Sequence, residues 1–233
     1  LALYIVLGLP NGPPWSTTPH PCYNYLADAF LHGQLYLRGT PPITRDLVLY
    51  AGHYYLYWPP MPAIVLMPFV AIFGVGFSDV LFSLAVGLLN VWLVFLILRQ
   101  AGRRGLLDLS AWQRGVLVLF FALGTVQATI APYGLVWFTG SLFGFLCLAL
   151  AYLAALSLDG WRAFLLTGLG IAAAALTRNH LFLAGLWPAV YLLQRHWPAG
   201  RGREGRWRLV GYAALGLLPL LAAGALTALY NTA

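Results

Sequence analysis

Apolar residues fall in long blocks at about 79–99, 115–132, 136–157, 163–177, 181–194 and 209–230, parted by short polar connections. Blocks of this kind predict helices that cross a membrane. The chain before residue 79 is patterned differently. Leu1 to Leu9 is apolar and is ended by Pro10-Asn11-Gly12-Pro13-Pro14, where prolines remove backbone donors and glycine eases a turn. From Trp15 to about Pro60 polar and apolar positions mix. Tyr23 to His32 predicts a short amphipathic helix, Gly39-Thr40-Pro41-Pro42 breaks it, and Tyr50 to Trp58 is rich in aromatics. A further apolar run covers Met61 to Phe73.

Composition turns this pattern into a fold class. At 61% hydrophobic and 8% charged, the 233 residues exclude an ordinary soluble domain, where about a quarter of residues are charged. With a mean hydropathy of +0.79, the expectation is an all-α polytopic transmembrane helix bundle. Residues 79–230 would form about six spans, and residues 10–78 an extracytoplasmic first loop containing juxtamembrane helices. The net charge of +7 comes from thirteen Arg and no Lys against six acids. These Arg sit in short connections rather than on one soluble face, which points to membrane orientation and away from nucleic acid. Cys22 and Cys147 offer neither metal-ligand spacing nor a disulfide framework. The first and last residues stop abruptly at apolar runs and no signal-peptide pattern is visible, so a fragment of a longer chain is expected.

Arginine placement predicts sidedness, because cytoplasmic loops collect Arg and every full span reverses the side. Arg99, Arg103, Arg104 and Arg114 surround one connection, Arg162 marks the next but one, and Arg195, Arg201, Arg203, Arg206 and Arg208 crowd a third. With these three assigned to the cytoplasm, the turns Ala131-Pro132-Tyr133-Gly134 and Arg178-Asn179-His180 fall outside, together with residues 10–78. Met61 to Phe73 should then not cross. It is short for a bilayer of roughly 30 Å and carries Pro62 and Pro68, so a juxtamembrane or re-entrant helix held by Tyr54, Tyr55, Tyr57 and Trp58 is expected. The alternative is a kinked full span. The 163–177 and 181–194 runs, each roughly 22 Å long if helical, predict a hairpin with a sunken tip that carries Arg178.

The candidate chemistry gathers on the outer side. Asp28 and His32 are one helical turn apart and share a face, which suits acid-base work, or else a solvated Asp paired with His32 or Arg38. Asp46 follows Arg45 and is either a second carboxylate for catalysis or an ion-pair residue in a turn. Asp79 follows Ser78 at a helix start, where capping is its expected role. Arg178 could hold phosphate oxygens by paired hydrogen bonds, with Asn179 and His180 in support, or anchor an interface. Tyr54, Tyr55, Tyr57 and Trp58 could stack on a sugar or form a membrane belt. No HExxH, Walker, GxGxxG or CxxC pattern is present.

Two stretches carry a family resemblance. Tyr23-Asn24-Tyr25-Leu26-Ala27-Asp28-Ala29-Phe30-Leu31-His32-Gly33-Gln34-Leu35-Tyr36-Leu37 and Gly52-His53-Tyr54-Tyr55-Leu56-Tyr57-Trp58-Pro59-Pro60-Met61-Pro62-Ala63 resemble the first outer loop of bacterial GT-C glycosyltransferases. The branch is that of the protein mannosyltransferase and aminoarabinose transferase relatives. Ala173-Ala174-Ala175-Leu176-Thr177-Arg178 is similar to their small-residue helix ending in a basic residue. The resemblance implies an integral protein of the bacterial cytoplasmic membrane with its site facing outside. Such an enzyme takes a sugar from a polyprenyl-phosphate donor lipid and transfers it with inversion to a lipid, glycan or protein. Relatives place an acid, often Asp-Glu, just after the first span, whereas Ser16-Thr17-Thr18-Pro19-His20 has none. The base is then expected at Asp28, with Asp46 and His20 as alternatives, and Arg178 is expected to neutralise the leaving phosphate. His53, Tyr54, Tyr55, Trp58 and His180 complete the expected substrate contacts. No cofactor is firmly implied, although a divalent metal would suit the chemistry. The rival expectations are a transporter or flippase of lipid-linked glycans and a noncatalytic membrane subunit.

Overall fold

The computed structural model describes residues 2–8, 13–197 and 202–232, so the Pro10-Asn11-Gly12 turn and Arg201 lie outside the described residues. The described chain is mostly helical. Among the described residues, three helices are long and apolar enough to cross a membrane. They are α4 (Asp79–Arg103), α7 (Val136–Ser157) and α10 (Arg203–Thr232). The other helices are α1 (Ala2–Gly8), α2 (Cys22–Leu31), α3 (Met61–Phe73), α5 (Ala111–Gly124), α6 (Val126–Ile130), α8 (Gly160–Ala175) and α9 (Leu186–His196).

Two of the expected apolar runs are not single α-helices. The 115–132 run is divided between α5 and α6, because Thr125 leaves helical geometry and its hydroxyl accepts the Gln127 N–H as an N-cap. The 181–194 run begins as a 3-10 helix, Asn179–Gly185, and becomes α-helical only at Leu186. The described chain also departs from an all-helical fold at an antiparallel hairpin, β1 (Leu47–Tyr50) and β2 (His53–Leu56). Its register pairs Leu47 with Leu56 and Tyr50 with His53. Ala51 and Gly52 form a two-residue turn with φ of 49° and 80°, the left-handed geometry that matches strand twist. Bulky residues on both arms favour this extended pairing.

The chain divides into two compact units. The first comprises Leu1–Leu89, Leu119–Phe143 and Leu229–Ala233. Here α2 packs on α3 through Leu26, Ala63, Leu66 and Val70, all buried. Asn24, fully buried, ties them together: its amide donates to the carbonyls of Val75 (3.0 Å) and Phe77 (2.7 Å) in the turn that ends α3. The start of α4 is strapped to residues 13–18. The Thr18 N–H donates to Asp79 Oδ1 at 2.9 Å and its hydroxyl donates to Oδ2. Ser78 Oγ accepts the Leu81 N–H at 3.0 Å and lies within 2.7 Å of the Pro14 carbonyl. Gly134, at φ 65°, brings the Pro132-Tyr133-Gly134 turn so close that an added Cβ would lie 2.7 Å from the Val80 nitrogen. Only glycine fits this approach.

The second unit comprises Asn90–Val118 and Gly144–Ala228. Its core includes Ala155, Ala163, Phe164, Leu192 and Leu209. Helices α8 and α10 meet at Gly168 and Gly216, where a Cβ on Gly168 would overlap the Gly216 carbonyl oxygen. Small residues allow backbones in apolar helices to touch in this way. The C-terminal carbonyls of α7 are satisfied by arginines: Arg195 donates to Ala155 (3.0 Å) and Leu158 (2.9 Å), and Arg104 Nε donates to Leu156 (2.7 Å). Both also pair with Asp159. Cations at a helix C-terminus favour its negative end.

Candidate functional site

The candidates before residue 79 all lie in the first unit, and the fold separates them into three settings. Asp28 lies on the exposed side of α2. Arg38 Nη1 donates to Asp28 Oδ2 at 3.3 Å, and His32 Nδ1 lies 3.6 Å from Oδ1, one helical turn away. The pairing with both His32 and Arg38 is therefore present. An ion pair this exposed is worth about 0–1 kcal/mol, so a ligand can open it at little cost.

An aromatic row continues from this cluster. Arg38 and Tyr36 flank buried Leu37, whose N–H donates to the Tyr54 carbonyl at 2.8 Å and so adds the segment to the edge of β2. Tyr36 stacks on His53 with ring centroids 4.1 Å apart, and Tyr55 meets Tyr36 edge-on at 6.2 Å. His53 and Tyr55 thus stand together on the hairpin, and Tyr36, two residues from the Arg38 that pairs with Asp28, joins them. That residue was absent from the expected substrate contacts; the alternation in Leu35-Tyr36-Leu37-Arg38 was the available signal.

Asp46 occupies a different environment. The hairpin register, extended by one residue, places it opposite Tyr57, whose hydroxyl donates to Asp46 Oδ1 at 3.2 Å. Oδ2 is buried and has no hydrogen-bond partner among the described residues. Trp58 packs beside Tyr57 with centroids 5.0 Å apart. Arg45 is exposed and makes no ion pair with Asp46 among the described residues. Nearby Cys22 is fully buried, and that burial pushes its thiol up to about 12, with the Asp46 and Asp79 carboxylates adding to the effect.

His20 is half-buried. Its ring meets Trp137 edge-on at 5.4 Å, its backbone N–H donates to Thr18 Oγ1 at 3.2 Å, and its buried Nδ1 has no partner among the described residues. No hydrogen bond or ion pair joins Asp28, Asp46 and His20 among the described residues. Asp79 is held by Thr18, while Ser78 supplies the side-chain cap of α4. Comparisons with protein-family models, curated proteins and solved structures find no match.

Arg178 and His180 belong to the second unit. Arg178 is half-buried at the N-cap of the 3-10 helix; its N–H donates to Ala174 and its carbonyl accepts from Leu181, both at 2.9 Å. Asn179 and His180 are exposed. Among the described residues no three His, Cys, Asp or Glu side chains are grouped to hold a metal ion.

Proposed function

We propose that the protein is a membrane glycosyltransferase of the GT-C type, acting on the extracytoplasmic face of a bacterial cytoplasmic membrane. Its donor would be a polyprenyl-phosphate sugar and its acceptor a lipid, glycan or protein hydroxyl. The observation that carries this reading is the open Asp28–His32–Arg38 cluster, linked by the Tyr36-Leu37-Arg38 segment to the Tyr36–His53–Tyr55 row. It combines a carboxylate that reaches solvent with ring faces that suit the apolar face of a sugar. Asp28 suits the role of base better than Asp46, because a base must come within hydrogen-bond reach of the acceptor hydroxyl and the Asp46 carboxylate is covered.

In this scheme the acceptor oxygen attacks the anomeric carbon and its proton passes to Asp28. The bond from that carbon to the carrier phosphate breaks, the configuration inverts and polyprenyl phosphate leaves. The departing phosphate needs positive charge, and Arg38 is the cation beside Asp28.

The test uses the full chain in proteoliposomes, with polyprenyl-phosphate mannose and polyprenyl-phosphate aminoarabinose as donors and release of polyprenyl phosphate as readout. Asp28→Asn should lower release at least 100-fold with an unchanged melting temperature, while Asp46→Asn should chiefly lower the melting temperature. Full activity in Asp28→Asn would remove it as the base, and donor movement across the bilayer without release would favour the transporter.

A further inference from the structure

Within the second unit, helix α10 has two unlike faces. One packs inward: Leu209 is buried, Tyr212 meets the Phe164 ring with centroids 5.9 Å apart, and a Cβ on Gly216 would lie 3.0 Å from the Phe164 carbonyl oxygen. The other begins at Arg203 and returns at Arg206, Trp207, Val210, Leu218 and Leu221, at steps of three, four or twice four residues that keep side chains on one side of a helix. All six are exposed, and the four apolar ones are each more than half accessible.

This stripe has a charged head and an apolar tail. From Val210 to Leu221 it runs about 16 Å along the helix, roughly half of a hydrocarbon core of about 30 Å and so the depth of one leaflet. Arg203, Arg206 and Trp207 stand within two turns of that tail, and arginine and tryptophan are the residues of the headgroup level. Arg104 and Arg195 pair with Asp159, whereas Arg203 and Arg206 make no ion pair among the described residues. Glu204 lies about 100° round the helix from Arg203, off the stripe.

Charge decides between two occupants. A second copy of the chain in the same bilayer would meet this face about a two-fold axis and set both guanidiniums against their own copies. Four positive charges would then face one another with no acid on the stripe between them. An anionic lipid supplies the missing charge and the hydrocarbon together.

We propose that this face of α10 binds an anionic membrane phospholipid, its phosphate held by Arg203 and Arg206 beside Trp207 and one acyl chain lying along Val210, Leu218 and Leu221. A zwitterionic headgroup brings its own ammonium and gains less from the two arginines. Such a site does not depend on the chemistry proposed at Asp28.

The experiment is native mass spectrometry of the full chain released from nanodiscs that contain equal amounts of dioleoyl-phosphatidylglycerol and dioleoyl-phosphatidylcholine. Wild type should retain the anionic lipid at least about fivefold over the zwitterionic one. Arg203→Gln/Arg206→Gln should bring that ratio below about two with an unchanged melting temperature, and Arg203→Lys/Arg206→Lys should keep most of the preference because the charge remains. Arg208→Gln removes a charge from the same segment about 140° round the helix from Arg203, and should leave the ratio close to that of wild type. Equal retention by wild type, a preference that survives the double Gln variant, or an equal fall in Arg208→Gln would overturn the proposal. So would a lipid-free dimer that the double Gln variant strengthens, which would assign the face to a second copy. Full displacement of phosphatidylglycerol by an equal amount of polyprenyl phosphate would overturn it too, by assigning the face to the donor lipid.

Discussion

In the first unit, buried polar side chains bind one another and backbone carbonyls across long stretches of chain. Thr18 grips Asp79, Asn24 holds the Val75 and Phe77 carbonyls, Ser83 lies 3.0 Å from Thr139, and Gln127 donates to Gly87 at 2.8 Å. In the second unit, Thr167 and Thr177 turn to carbonyls of the helices around them, arginines occupy a helix end, and close contact is made by glycine on glycine. A region that holds a polar loop in place needs directional bonds whose loss exposes several partners at once. A region that packs apolar helices needs shape.

That contrast predicts where each unit breaks. The largest effect is expected at Gly168→Leu, where the side chain would have to displace the α10 backbone; overpacking of this severity costs about 3 kcal/mol or more, read as a collapse of the detergent-solubilised melting temperature. Asn24→Leu should follow, at about 2–3 kcal/mol, because two loop carbonyls lose their buried donor. A melt within a degree of wild type would show that water serves them equally well. Arg195→Met should cost about 1–2 kcal/mol by uncovering the Ala155 and Leu158 carbonyls, and Arg195→Lys should recover only part of it.

The smallest expected effect concerns pH. The Cys22 thiol rises from 9.0 to about 12 on folding, so above pH 9 the unfolded chain releases its proton while the folded chain keeps it. Stability should therefore fall as pH rises through that window, by about 1 kcal/mol between pH 9 and 10, and be unaffected below pH 8. Parallel pH melts of wild type and Cys22→Ala isolate this contribution, and identical slopes would remove it.

The helices were legible wherever apolar residues ran on without interruption. Met61–Phe73 has the bounds expected of it because Pro60 and Pro62 mark its start and Gly74, at φ 71°, its stop. The hairpin was not legible. Its arms are four residues each and Tyr50 to Trp58 carries aromatics on successive positions, which hides a two-residue period, while Ala51 disguises a turn usually marked by Asn-Gly. The break before Val126 rests on one threonine cap in an otherwise continuous apolar run. For the site, the pairing of Asp28 with His32 followed from helical spacing alone. The burial of Asp46 depended on the hairpin that places Tyr57 opposite it, and the partner of Asp79 lies 61 residues away, beyond any local pattern.

That distance has a consequence for synthesis. Thr18 leaves the ribosome 61 residues ahead of the carboxylate that fixes it, a delay of about 3–12 s at ordinary translation rates. Until Asp79 emerges, the nascent segment 13–18 lacks the carboxylate that fixes Thr18. The Thr18–Asp79 fastening therefore belongs to the moment when the first turn of α4 is made.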